Sequence, residues 1–297
     1  MKGDMLIQWF PGHMVTAQKR AAETMAAVDL VVEVLDARIP YSSCNPLIEA
    51  LRKARARPAL KLLNKADLAD PRRTQQWLAH YNAMPGVKAI ALSGQNKAEV
   101  ARITALCRAL APHRGTHEKQ LRMMIMGVPN VGKSTLMNTW LKRRVAKVGD
   151  EPAVTKHQQR IEIDPSMSLV DTPGMLWPKL SPEGGLRLAA CNAVGRAAFL
   201  TEDVAVGLAD YLLADYPKLL STRYGAPPEG TRGRPLLAWI AAHENMVETG
   251  GLPDLPRASR GLLADFHGGA LGRITLETPE QVAARPPEPP FVEKKKA

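Results

Sequence analysis

At 297 residues, with 45% hydrophobic and 23% charged residues, the chain has a globular composition and is long enough for a full-sized core plus a smaller second unit. Its apolar stretches fall far short of a membrane span. The opening MKGDMLIQWFPGHM, with acidic Asp4, lacks the apolar centre and cleavage site of a secretory signal, so a cytosolic protein is predicted. A net charge of +11 favours a polyanionic partner (RNA, DNA or anionic lipid), whereas Cys44, Cys107 and Cys191, widely spaced and odd in number, suggest reduced packing thiols rather than a metal site or disulfide framework.

Along the chain, Met14, Ala17, Ala21, Met25 and Val28 recur at helical spacing, and the apolar run 30–35 follows as a buried strand would. Similar runs at 59–63, 87–92, 121–126, 161–163 and 168–170 are interleaved with helix-like segments, notably 97–110 and 133–143. This alternation predicts an α/β fold with a mainly parallel sheet and its chemistry at the carboxyl ends of the strands. After about residue 178 the strand signals stop, and 186–199, 204–215, 235–248 and 259–268 read as helices, with a Pro- and Gly-rich loop at 224–235. The predicted organisation is an α/β domain over 1–178, a helical domain over 179–285 and a disordered basic tail over 286–297.

Five short segments carry chemistry. NKAD at 64–67 ends an apolar strand; from there Asp67 can accept hydrogen bonds from the ring N–H and exocyclic amine of guanine, supported by Asn64 and Lys65, and this favours GTP over ATP. Ser93, at the end of the next strand, would supply the loop that supports the base. GVPNVGKS at 127–134 satisfies the phosphate-loop pattern between a strand and a helix. Backbone amides from Asn130, Val131, Gly132 and Thr135 would wrap the phosphates, Lys133 would reach the β/γ-phosphates, and Ser134 would ligate Mg²⁺. DTPG at 171–174 would put Asp171 beside the metal and the Gly174 amide near the γ-phosphate, and Thr155 between them is the candidate for the mobile residue closing on Mg²⁺, with a plain surface-loop threonine as its rival.

The order of these parts is unusual. GTPases ordinarily run phosphate loop, mobile threonine, DxxG, NKxD and base loop, whereas here NKAD and Ser93 precede Gly127. A circular permutation explains this, because the ends of a compact domain lie close enough for the cut to move without disturbing the site. The helical unit would then follow directly from the γ-phosphate-sensing segment.

With that order, the opening IQWFPGHM, and the phrases DARIP, NKAD, GVPNVGKST, DTPGMLWPK and GGALGRITLETP, the chain resembles the RbgA/YlqF family of circularly permuted GTPases over most of its length. The resemblance implies a circularly permuted P-loop GTPase core followed by a C-terminal helical domain, GTP hydrolysis coupled to maturation of the large (50S) ribosomal subunit, and a helical domain that helps to bind ribosomal RNA. The expected protein is a cytoplasmic monomer. The resemblance also points to His13 as an aid to hydrolysis, since the residue after DTPG is Met175, which cannot orient water; capping a helix or meeting a partner's phosphate are alternatives for this histidine. Similarly, Asn130 stands where potassium-stimulated GTPases hold a monovalent cation, simple loop hydrogen bonding being the alternative. A scaffold with incidental turnover, or a GTPase acting on membranes or transfer RNA, would fit the charge as well.

Overall fold

The computed structural model describes residues 7, 12–116, 118–146 and 159–285. Thr155 and the tail 286–297 lie outside the described residues, as does the side chain of His13.

The first half alternates as its apolar runs predict: α1 (Gly12–Ala27), β1 (Leu30–Asp36), α2 (Pro46–Ala54), β2 (Ala59–Asn64), α3 (Pro71–Asn82), β3 (Val87–Ala91), α4 (Lys97–Leu110), β4 (Leu121–Met126), α5 (Lys133–Trp140), β5 (Gln159–Asp164) and β6 (Met167–Asp171). Local chemistry sets several helix starts. Asn45, Asp70 and Asn96 accept hydrogen bonds from the first free amides of α2, α3 and α4, and Pro46 and Pro71 occupy first-turn positions where no amide is needed. β1 and β2 are buried along their whole length, as strands covered on both faces must be.

The described strands form one sheet in the order β3-β2-β1-β4-β6-β5, parallel throughout except for β5, which runs antiparallel to β6. The chain therefore starts in the middle of the sheet, builds outward through β2 and β3, and returns to the other side of β1 with β4. The direction of winding reverses between β1 and β4, and in open parallel sheets the crevice at such a reversal is where ligands bind.

Beyond β6 the described chain is helical: α6 (Pro182–Ala190), α7 (Thr201–Asp215), α8 (Pro217–Tyr224), α9 (Arg234–His243), α10 (Leu255–Gly268) and α11 (Pro279–Ala283). The single helix expected over 186–199 is broken. Asn192 adopts a left-handed conformation (φ 60°) just past α6, and the chain turns before a short 3₁₀ segment at Arg196–Ala198. α8 was not foreseen either, its eight residues being too few to display a helical period. The helices share the core of the sheet: one apolar cluster includes Leu30 and Val32 of β1, Leu188 of α6, Val204 of α7, Leu262 of α10 and Leu276.

Between β2 and α2 lies a buried charge cluster. The parallel register sets Glu33 directly opposite Lys61, and the two side chains hydrogen-bond to each other with almost no exposure. Glu49 of α2 stands 3.4 Å from the same ammonium, and the Lys61 Nζ lies 5.1 Å from the Tyr81 ring centroid. Burial would raise the pKa of Glu49, but the hydrogen bonds from Arg52 and the charge of Lys61 outweigh it and hold it down to about 2. Because this folded pKa lies below the ordinary 4.5, the stabilisation is full above pH 4.5 and is lost as pH falls towards 2. Breaking a buried pair leaves the surviving charge uncompensated, so Lys61→Met should lower unfolding free energy by ~3–5 kcal/mol, measured by denaturant melts at neutral pH; an unchanged midpoint would refute this.

Candidate functional site

Because β1, β2, β4 and β6 are parallel, their carboxyl ends open on the same edge of the sheet, and the sequence motifs follow these ends. The loop after β4 leads through Gly132 into α5. Gly132 has φ 88°, and a Cβ there would stand 2.5 Å from Asn64 Nδ2, so both its conformation and its surroundings require glycine. It opens the helix without a side-chain cap, so the first-turn amides around Lys133, Ser134 and Thr135 form an N-terminus suited to an anion. Ser134 and Thr135 are half-buried; Val131 is buried.

Asn64, the last residue of β2, binds three motifs together. Its Nδ2 donates to the Val131 carbonyl of the phosphate loop (2.7 Å), and its Oδ1 accepts from the Gly94 amide in the loop after β3 (2.7 Å). The side chain is buried, so both amide ends are satisfied where a loss would leave buried polar groups unpaired. Lys65, held at φ 60°, donates to the Asn130 carbonyl (2.7 Å) and pairs with Asp36 at the end of β1 (3.0 Å). Arg38 makes a bidentate contact with the same carboxylate (2.9 and 2.8 Å). Burial would push the Asp36 carboxyl up, but Arg38 and Lys65 hold it far below the usual carboxylate range.

On the other side of β4, Lys133 hydrogen-bonds to Asp171 at the end of β6. Both are buried. Desolvation draws the lysine pKa down and the aspartate pKa up, and their mutual attraction opposes both shifts. Thr172 anchors the next residue by donating from Oγ1 to the Ile125 carbonyl of β4 (2.8 Å). Gly174 lies against the phosphate loop, where a Cβ would stand 3.1 Å from the backbone of Pro129. The Asp171 carboxylate and the Ser134 hydroxyl are hard oxygen donors, the chemistry a Mg²⁺ site requires.

Thus Asn64, Lys65, Asn130, Val131, Gly132, Lys133, Asp171 and Gly174 converge on one edge of the sheet. Asp67 stands exposed beyond them. Ser93 is half-buried, its amide donating to Glu99 (2.7 Å) and its carbonyl accepting from the Asn96 amide (2.8 Å), which gives the loop after β3 a defined turn. Met175 is a core residue, 2% exposed and clustered with Met25, Val28, Val31, Ile48, Met124 and Met126. Asn130 Nδ2 donates to the Asn192 carbonyl after α6 (2.8 Å), tying the phosphate loop to the helical region. Asp36 and Arg38 were not singled out by spacing; a charged residue closing an otherwise apolar strand was the available signal.

A phosphate loop at the winding reversal, an acidic residue on the neighbouring strand end and NKAD two strands away, in inverted chain order, define a circularly permuted P-loop GTPase. A profile described as 50S ribosome-binding GTPase matches residues 122–216. Ribosome biogenesis GTPase A of Bacillus cereus is 39% identical over 285 residues, covering 93% of this chain and 95% of the relative, and Mitochondrial ribosome-associated GTPase 1 of Bos taurus is 33% identical, covering 93% and 90%. Among solved structures, GNP-bound YlqF from T. maritima aligns with a TM-score of 0.57 at 21% identity, covering 90% of this chain and 99% of that one; a GDP-bound YlqF structure aligns with a TM-score of 0.64 at 22% identity, covering 88% and 99%. The chain belongs to the ribosome biogenesis GTPase A family.

Asn64→Ala removes two buried hydrogen bonds and leaves the Gly94 amide and the Val131 carbonyl unpaired, which should cost ~1–3 kcal/mol per unsatisfied group. The variant should melt earlier and bind guanine nucleotide more weakly by calorimetry; parental values for both would show that Asn64 does not hold the loops together.

Proposed function

We propose that this GTPase is an assembly factor for the large ribosomal subunit, binding the precursor particle and its RNA in the GTP form and leaving on particle-stimulated hydrolysis. The observation that carries the nucleotide part is the convergence of three separate chain segments on Asn64, together with the Lys133–Asp171 pair. The ribosomal part rests on the relatives, which are named for ribosome biogenesis and ribosome association, and on the matching 50S ribosome-binding profile. The net charge of +11 suits a particle whose surface is RNA phosphate. We assign residues 1–178 to catalysis, the helices within 179–285 to RNA and particle binding, and 286–297 to a basic extension; the protein works as a cytoplasmic monomer.

Each proposed role follows from position and chemistry. Asp67 accepts from the guanine ring N–H and amine, and the Ser93 loop backs the base. Amides of residues 130–135 and the Lys133 ammonium hold the phosphates, and the Gly174 amide meets the γ-phosphate. Ser134, Asp171 and, on closure, Thr155 would hold Mg²⁺, which when bound supplies positive charge against the phosphate oxygens. While the nucleotide binds, Lys133 exchanges part of its contact with Asp171 for phosphate oxygen, so the pair stores no unpaired charge in either state.

With Met175 in the core, the attacking water needs another partner. Helix α1, on which His13 lies, donates a hydrogen bond from Gln18 Nε2 to the Leu176 carbonyl just after DTPG (3.4 Å), which supports a role for His13 in orienting that water. Asn130 in the phosphate loop would help to hold K⁺ beside the phosphates.

Turnover in potassium buffer should rise selectively with purified large subunits, small subunits serving as control; no stimulation despite tight GTP binding would mean a different partner. His13→Ala should retain GTP affinity and lose stimulated turnover by ~10²-fold or more, and an unchanged stimulated rate would exclude it from catalysis. Equal rates in sodium and potassium would remove the cation from the scheme. A Lys133→Ala chain that still supports full particle maturation would favour a scaffold over a timer.

A further inference from the structure

The loop that carries Asp67 is gripped from outside by a segment more than 200 residues downstream. After α10, residues 272–278 leave the helical region and run along the NKAD loop. Arg273 donates from Nη2 to the Ala66 carbonyl (2.8 Å) and from Nε to the Ala69 carbonyl (2.9 Å), so that one planar guanidinium spans the two residues either side of the Asp67–Leu68 pair. The Ile274 amide donates to the Leu68 carbonyl (3.0 Å), and Thr275 Oγ1 accepts from the Asp70 amide (3.1 Å) while donating to the Ala37 carbonyl (3.1 Å). From Ala66 to Asp70, four backbone groups of the loop are thus held by three consecutive residues. The segment is itself anchored: Glu277 accepts from the Ser42 amide (2.8 Å) and hydroxyl (2.6 Å), and Trp77 Nε1 donates to the Glu277 carbonyl (3.0 Å).

These contacts do not resemble ordinary core packing. Thr275 and Glu277 are fully buried, whereas Arg273 is exposed and donates to backbone carbonyls on either side of Asp67. A fork of donors fixed at two points restricts the rotation of the backbone between them, which is the backbone that aims the Asp67 carboxylate. Within the loop the Ala66 amide donates to the Leu92 carbonyl (3.2 Å) and the Leu68 amide to the Lys65 carbonyl (3.0 Å), while the Asp67 side chain stands exposed and is aimed by the backbone that carries it.

We propose that Arg273 is a positioning residue for base recognition, fixing the NKAD loop so that Asp67 is pre-aimed at guanine, and that it acts through the loop without touching the nucleotide. Binding then avoids the entropy cost of ordering the loop, and selectivity for the guanine amine depends on a residue of the C-terminal segment. The inference rests on the assignment of Asp67 as the guanine reader.

The test measures GDP and IDP affinity of the full chain by calorimetry for the parental protein, Arg273→Ala, Arg273→Lys and Asp67→Ala, with GTPase kinetics alongside. IDP lacks the exocyclic amine that Asp67 accepts from, so the GDP:IDP affinity ratio reports the aim of that carboxylate. With two hydrogen bonds removed, Arg273→Ala should weaken GDP binding about 10-fold, narrow the GDP:IDP ratio, and raise KM for GTP while kcat falls less than about twofold. Arg273→Lys, with one point donor in place of a fork, should recover part of the affinity. An Arg273→Ala chain with parental GDP affinity and GDP:IDP ratio overturns the inference, as does a loss of kcat and affinity together that lysine does not rescue. Asp67→Ala separates the two levels: if it abolishes the GDP:IDP preference and Arg273→Ala leaves it intact, the positioning role alone fails, and if Asp67→Ala leaves the preference intact, the guanine assignment itself fails.

Discussion

The Asn64 carboxamide is the constraint on which the site depends. It is short, buried and bonded at both ends, one to the phosphate loop and the other to the loop after β3, and Gly132 has no side chain because the amide nitrogen occupies that space. Two such hydrogen bonds are modest individually, yet leaving either partner unpaired in a buried setting is expensive, so the three loops have one low-energy arrangement. Lys65 extends the same principle one residue further, bridging the Asn130 carbonyl and the buried Asp36 carboxylate. This explains how a permuted chain retains a working site. The contacts join strand ends that are neighbours in space, and the sheet brings them together whichever of them is synthesised first.

The helical region touches this arrangement on two sides. At the phosphate loop, Asn130 donates to Asn192 just after α6; at the NKAD loop, residues 273–275 hold the backbone from Ala66 to Asp70. Arg38 connects the two regions as well, its guanidinium lying 4.9 Å from the ring centroid of Phe266 in α10 while it neutralises Asp36. The permutation sends the chain from DTPG straight into the helices, and the C-terminal segment then returns to the NKAD loop. Both loops are thus joined to the helical region by hydrogen bonds, and the helices share the core of the sheet.

Much of this was legible in the sequence, for identifiable reasons. Apolar runs such as LVVEVL and ALKLL are what strands buried on both faces must look like, and the phosphate loop, NKAD and DTPG are short because their chemistry is carried by adjacent residues. The carboxyl-end placement follows from a parallel sheet. What the sequence hid is long-range. The break after α6 depends on a left-handed Asn192, which helical periodicity cannot register. Neither the Asp36–Arg38–Lys65 cluster nor the Arg273 fork leaves a spacing signal, since their members come from separate elements or reach backbone carbonyls rather than matching side chains. The Glu33–Lys61 pair becomes visible only once the β1/β2 register is fixed.

Motifs in inverted chain order should build one guanine-selective site on this sheet. Competition calorimetry of GDP against ADP on the full chain with Mg²⁺ tests it most directly. Because a site that hydrogen-bonds the guanine edge is left with unpaired polar groups by adenine, GDP should bind on the order of 10³-fold tighter or more. Comparable affinities for the two nucleotides would contradict the assignment of NKAD as the base reader and, with it, the assembly of the permuted site.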